Sequence, residues 1–261
     1  MTIFQSFILG LVQGVAEFLP ISSSGFLILI PKIFGWQVKD LAFDAFLHLG
    51  SLAAIIFALW PDLKKIWLSI FARKQEREWS RLALWIAVAT LPTVICGFAL
   101  EEIFETTFRS HDIVAYSLIF WGVVLFIVDK FAREKIKAVE KTGLKRALLI
   151  GVSQAIALIP GTSRSGITIT FGLFAGLSRE TAARFSFLLA IPVVAGAGLM
   201  KMQDVVLMSG STGIASFFVG FASTFFAAFF TIKFLLAFLR KYSFANIAIF
   251  RVVVGILVLL L

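Results

Sequence analysis

The sequence predicts an all-α integral membrane protein with six transmembrane helices and two re-entrant helical hairpins in an inverted-topology repeat. Three observations lead there. Of 261 residues, 60% are hydrophobic and 15% charged, whereas a soluble domain is about 45–50% apolar. Two apolar stretches, one around Pro20 and one around Pro160, are each interrupted by a serine- and glycine-rich insert. Basic residues crowd two segments bordering apolar runs, which is where the positive-inside rule places cytoplasmic loops.

Taken in order, residues 3–30 are apolar but broken by Gly14, Glu17, Pro20, Ser22 to Ser24 and Gly25. That leaves two half-length pieces instead of one span of about 20 residues, so a re-entrant hairpin is expected. Broken backbone at membrane depth is tolerated only where it is buried in protein or lines a cavity, so the break itself points to a site. Lys32, Lys39 and Asp40 mark a return to the interface, and a first span over 44–60 is ended by Pro61-Asp62. Residues 61–81 carry six basic residues against three acids and are placed in the cytoplasm. A span over about 82–100, kinked at Pro92, emerges into an outward loop holding Glu101, Glu102, Glu105, Arg109 and Asp112. The next, over 113–128, returns to a cytoplasmic segment, 130–146, with seven basic residues.

The second half repeats the plan. Residues 147–177 are apolar and broken by Pro160, Gly161, Ser163 to Gly166 and Gly172, again as a hairpin. Arg179 and Arg184 mark the cytoplasmic face; spans follow at about 184–202, 214–236 and 245–261, with Lys233, Arg240 and Lys241 in the last internal loop. The chain is thus one membrane domain, 1–261, with repeats of about 1–130 and 144–261 joined by a basic cytoplasmic loop. Gln13 stands nine residues before Ser22, and Gln154 nine before Ser163. In an inverted repeat of this kind the substrate site lies where the two broken elements meet near the midplane.

The charge of +9 follows from those loops and does not call for a nucleic-acid partner; a single Cys, Cys96, excludes an intramolecular disulfide, and two His without a Cys cluster give no zinc signature. No basic region precedes the first apolar run, so a cleaved signal peptide is not expected.

Arg164 is the residue that demands an explanation, because an unpaired guanidinium in lipid costs about 2.5–17 kcal/mol depending on how it is measured. An anion is the expected partner. If the hairpins face each other, Glu17, Ser22, Ser23 and Ser24 meet Ser163, Arg164, Ser165 and Thr168. Helix starts beside the serine runs would aim free N–H groups at an anion, arginine holds phosphate oxygens bidentately, and Gly25 and Gly166 let backbone approach a ligand. Glu17 would serve as metal ligand, as general base, or to orient Arg164. A purely structural Glu–Arg pair with small residues at helix contacts is the competing reading. His48 faces either the same cavity or a helix interface; His111 is expected in solvent, and the Phe-rich runs against lipid.

These motifs resemble the undecaprenyl-diphosphate phosphatases, the BacA-type proteins of bacitracin resistance. Gln13-Gly14-Val15-Ala16-Glu17-Phe18-Leu19-Pro20 is similar to the family's (Glu/Gln)-x-x-x-Glu element and runs on into Ser22-Ser23-Ser24-Gly25. Pro160-Gly161-Thr162-Ser163-Arg164-Ser165 with Thr168 is similar to its Pro-Gly-x-Ser-Arg-Ser-x-x-Thr element, and Phe43 to Ser51 also resembles family sequence. The resemblance implies a multi-pass enzyme of the bacterial plasma (inner) membrane, site facing outward, that cleaves undecaprenyl diphosphate to the monophosphate carrier lipid and inorganic phosphate for cell-wall synthesis, with Mg²⁺ or Ca²⁺ as cofactor.

By motif position Glu17 becomes the essential acid and metal ligand, Ser23 the catalytic hydroxyl and Arg164 the phosphate clamp. Gln13, Ser22, Ser24, Gly25, Gly161, Thr162, Ser163, Ser165, Gly166 and Thr168 become the substrate-binding shell. The expected partners are a polyprenyl diphosphate and the bilayer, and a homodimer is compatible. One departure matters: the family places His after Ser-Ser-Ser-Gly, and this chain has Phe26. Since Phe26 carries neither a proton nor a phosphoryl group, the alternative is a transporter or flippase of a phosphorylated lipid or small anion.

Overall fold

The computed structural model describes residues 1–36, 41–71, 77–106, 111–207 and 213–260, with the side chains of 41–42, 100–106, 111 and 199–207 excepted. Lys39, Asp40, Arg73, Lys74 and Arg109, and the side chains of Glu101, Glu102, Glu105 and His111, therefore lie outside the described residues.

All regular elements described are helical. Helix α1 (Ile3–Ala16) opens on a capping box in which Thr2 and Gln5 satisfy each other's backbone N–H groups, and α2 (Ser23–Ile33) completes the first hairpin. Then come α3 (Leu41–Ala58), α4 (Trp60–Phe71), α5 (Arg77–Thr106) and α6 (His111–Phe131). A 3-10 turn at Val139–Lys141 leads into α7 (Leu144–Ile156) and α8 (Arg164–Phe174), the second hairpin, followed by α9 (Arg179–Leu207), α10 (Ile214–Phe238) and α11 (Ala245–Leu259).

Among the described residues, four helices are long and apolar enough to cross a membrane: Arg77–Ala99, Asp112–Phe131, Arg179–Gly198 and Ile214–Phe238. A fifth appears if α3 and α4 together make one bent span. The expected six is not reached by length, because α11 has 15 residues against the roughly 20 needed to span hydrocarbon.

The packing repeats between halves. α1 packs on α10 as α7 packs on α5, while α3 meets α9 and α6 meets α11. Small residues allow the close approaches: a side chain at Gly14 would strike the Thr224 backbone at 2.6 Å, and Gly151 lies as tightly against Ala89.

The span expected over 44–60 ends as α3 at Ala58, and Pro61-Asp62 lies in the first turn of a further helix, α4, which turns 72° from α3. Proline is well suited to the first turn of a helix, where its missing N–H has no partner to lose. Asp62 is 1% exposed and is held by Arg184 of α9, whose Nε donates at 2.5 Å and whose Nη2 donates to the other oxygen. Lys64 and Lys65 sit on the exposed side with Trp67, Leu68 and Phe71. Removing one partner of a buried ion pair costs about 3–5 kcal/mol, so Arg184→Ala should lower the thermal midpoint sharply. Arg184→Ala/Asp62→Asn should recover part of that loss, read by the temperature at which detergent-solubilised protein aggregates.

At the basic end Arg179 binds Asp129 at 2.7 Å and Glu134 at 2.6 Å, and Asp129 also accepts from the Phe244 N–H at 3.1 Å, tying α6, α9 and the start of α11 together. Arg240, exposed beyond α10, has its pKa raised by hydrogen bonding to Glu180.

Candidate active site

Each hairpin turns at a serine with a left-handed backbone. Ser22 has φ +75° and Ser163 φ +67°, the two non-glycine residues with positive φ among those described. Such conformations are strained for an L side chain and persist where the surroundings impose them, often at ligand sites. Here each one reverses the chain so that a helix starts at the break. The first N–H groups of α2 and α8, which have no intrahelical acceptor, are thereby placed at the turn.

Between the two turns lies a cavity of about 230 Å³. Its polar wall is Glu17, Ser22, Ser23, Ser24, His48, Ser163 and Arg164, together with Gln154 and Thr93; its apolar wall is Ala16, Ala157, Leu158, Val193, Val194 and Ala197. The two motifs therefore meet, as the repeat required.

Glu17 is the hub. It is 7% exposed, and its Oε1 accepts from Arg164 Nη2 at 2.9 Å. Its Oε2 accepts from Ser23 Oγ at 2.6 Å and from Gln13 Nε2 at 3.0 Å. Arg164 spends Nη2 on this carboxylate, while its buried Nη1 has no partner among the described residues. A desolvated guanidinium N–H without an acceptor is costly, and it borders a cavity large enough to supply one. Among the described residues the buried Gln13 and Gln154 side-chain carbonyl oxygens are unpartnered too.

His48 of α3 is in the cavity wall. Its Nδ1 lies 2.8 Å from the Asp44 carbonyl, and since a carbonyl only accepts, Nδ1 carries the proton. Its Nε2 stands 3.6 Å from Glu17 Oε2. That is too long for a direct hydrogen bond.

Phe26 is elsewhere. Its ring stacks on Phe250 of α11 at 6.4 Å with planes 1° apart, and it packs with Val114, Leu118 and Val254. The substitution that cast doubt on catalysis is at a position whose side chain faces away from the cavity.

Several expected binding residues lie behind the wall. Thr162 bonds Ser117 of α6 at 3.0 Å, Ser165 donates to the Leu19 carbonyl at 3.2 Å, and Thr168 donates to the Arg164 carbonyl at 2.7 Å and is bonded to Ser186 at 2.6 Å. Nor do the glycines approach the cavity. A side chain at Gly25 would contact Val114 at 3.6 Å, one at Gly161 (φ +84°) would collide with the Val114 backbone, and one at Gly166 would meet Arg251 Nη1 at 2.5 Å. They make room for α6 and for Arg251.

Arg251 was not anticipated, although a lone arginine in the apolar run 245–259 was a visible signal. It is 1% exposed. Its Nε donates to Leu118 O at 3.1 Å, Nη1 to Pro20 O at 3.4 Å, and Nη2 to Gly161 O at 2.8 Å and to Thr162 O. One guanidinium thus holds carbonyls from both hairpin breaks and from α6.

Helical hairpins facing each other across a Glu–Arg–Ser cluster, within a set of long apolar helices, define a multi-pass integral membrane protein. More particularly, the chain belongs to the family described as Bacitracin resistance protein BacA, whose sequence model matches residues 6–257. It is 43% identical over 261 residues to an undecaprenyl-diphosphatase of Pelotomaculum thermopropionicum, covering 100% of this chain and 97% of that one. It is 41% identical over 258 residues to an undecaprenyl-diphosphatase of Moorella thermoacetica, covering 99% and 97%.

Proposed function

We infer that this chain hydrolyses undecaprenyl diphosphate to undecaprenyl phosphate and inorganic phosphate. The observation that carries the reading is the buried Nη1 of Arg164, which has no partner among the described residues and borders a cavity lined by the starts of α2 and α8. Family membership and both relatives' names support the hydrolase over the transporter reading.

The terminal phosphoryl group sits on Arg164 and the first N–H groups of α2 and α8, where charge spreading onto its oxygens is stabilised. Ser23 is the nucleophile: Glu17, 2.6 Å from its Oγ, takes the hydroxyl proton as Oγ bonds to phosphorus. The bond to the bridging oxygen breaks, and that oxygen leaves with the electron pair as undecaprenyl phosphate. Water then attacks the phosphoserine, giving a proton to His48 Nε2; the phosphorus–Oγ bond breaks and Oγ recovers its proton from Glu17. Ala157, Leu158, Val193, Val194 and Ala197 lead the prenyl chain out among the helices.

A hard divalent cation fits this donor set. Such ions are held by one or two carboxylates plus substrate phosphates, and among the described residues no cluster of three or more His, Cys, Asp or Glu forms a cage. Glu17, Ser23 Oγ and the diphosphate oxygens would hold it, and it would neutralise charge on the diphosphate. We place the protein in the bacterial plasma membrane with the cavity toward the outer face, a placement supported by the family and by the basic loops at the opposite end.

The test is inorganic phosphate release from undecaprenyl diphosphate in detergent with Mg²⁺ or Ca²⁺, using Arg164→Ala as blank. Parent activity no higher than the blank would overturn the assignment. In the same assay His48→Gln should lose about 10²-fold, the lower range for an acid–base group, while Phe26→His should stay within about threefold of the parent. A large gain on Phe26→His would mean position 26 reaches the chemistry after all.

A further inference from the structure

A second cavity, of about 500 Å³, lies at the basic end between the last turn of α6, the segment after it and the C-terminal turn of α8. It shares no lining residue with the active-site cavity. Arg133, Lys135 and Arg146 line it, and no carboxylate does. The acids flanking it in sequence, Asp129 and Glu134, both bind Arg179. Arg146 donates from Nε to the Ala175 carbonyl at 3.0 Å and from Nη1 to the Thr142 carbonyl at 3.3 Å. These bonds fix the guanidinium at the rim and cover the α8 carboxyl end, whose partial negative charge would otherwise repel an anion. The side chains of Arg133 and Lys135 are exposed and pair with nothing among the described residues.

The remaining wall is apolar and open to the outside: Ile127 is 49% exposed, Phe131 73% and Phe174 71%. A soluble anion would use the cations and leave these rings uncovered. A ligand with a phosphate and an acyl chain uses both, and basic pockets between helices at an interface are where such headgroups bind.

The geometry points to a site for an anionic glycerophospholipid, its phosphate held by Arg133, Lys135 and Arg146 and its acyl chain lying along Ile127, Phe131 and Phe174. The site is independent of the hydrolytic reaction, so it can stand or fall separately.

Native mass spectrometry of the full chain tests it, with phosphatidylglycerol, phosphatidylcholine and inorganic phosphate as probes. Phosphatidylglycerol should be retained in preference to phosphatidylcholine. Each surface cation is worth about a fivefold change in affinity, so Arg133→Gln/Lys135→Gln should weaken retention roughly 30-fold while phosphate release in detergent shows the variant still folded. Equal retention of both lipids, or unchanged retention by the variant, would overturn the proposal. So would displacement of the lipid by millimolar inorganic phosphate, which would make this a free-anion site.

Discussion

Glu17→Gln is expected to lower phosphate release by about 10⁴-fold, because one carboxylate serves two functions. It accepts hydrogen bonds from both Ser23 and Arg164, and in the proposed mechanism it takes the Ser23 proton and positions Arg164; a general base is typically worth about 10²–10⁴ in rate and a charge-stabilising group about 10²–10³. Groups acting as a unit are not additive, so Glu17→Gln/Arg164→Gln should be no slower than the worse single variant. Stability should move the other way. Each single change strands one buried charge, at about 3–5 kcal/mol, and the double change removes both. The thermal midpoint of the double variant should therefore lie above those of the singles. Activity losses that multiply in the double variant would show two separate roles and refute the single Ser23–Glu17–Arg164 unit.

The site was readable in the sequence where membrane physics makes a rule strict. Hydrocarbon penalises broken helices and stranded charges, so Gln13 to Gly25 and Pro160 to Thr168 stood out without any structure, and Glu17, Ser23 and Arg164 meet as expected. What stayed hidden depends on facing. Phe26 is next to the serine run in sequence but turned toward α11, and His48, some twenty residues on, is turned into the cavity. The position along the chain could not decide between them. Composition marked Pro61-Asp62 as the end of a span but gave no sign of the helix that starts there. Burial of Asp62 against Arg184, more than a hundred residues later, makes it the start of α4. Glycines beside the motifs suggested close ligand approach; they accommodate α6 and Arg251. Such distant partners leave no local pattern.

Arg251 should prove as indispensable as the residues in the cavity, although it touches none of the reacting atoms. Among the described residues no carboxylate pairs with it; four backbone carbonyls do the work, one from α6, one from the first break and two from the second. Hydrogen bonds to a charged group are worth about 1.5–3 kcal/mol each. Arg251→Met therefore leaves several buried acceptors empty and should cost about 3–5 kcal/mol or more, read as a large fall in thermal midpoint. Arg251→Lys is the sharper test, because it keeps the charge. An ammonium has three donors on one point, whereas the guanidinium fork has five spread over a plane, so lysine cannot hold Pro20 and Gly161 together while also reaching Leu118. The breaks should then shift relative to each other by a fraction of an ångström to an ångström. A misplacement of that size costs about 10²-fold in rate. With the substrate still bound through Arg164, the loss should fall on kcat with KM nearly unchanged. A lysine variant with parental kcat, or one that loses affinity alone, would mean that Arg251 only fills space between α6 and the hairpins.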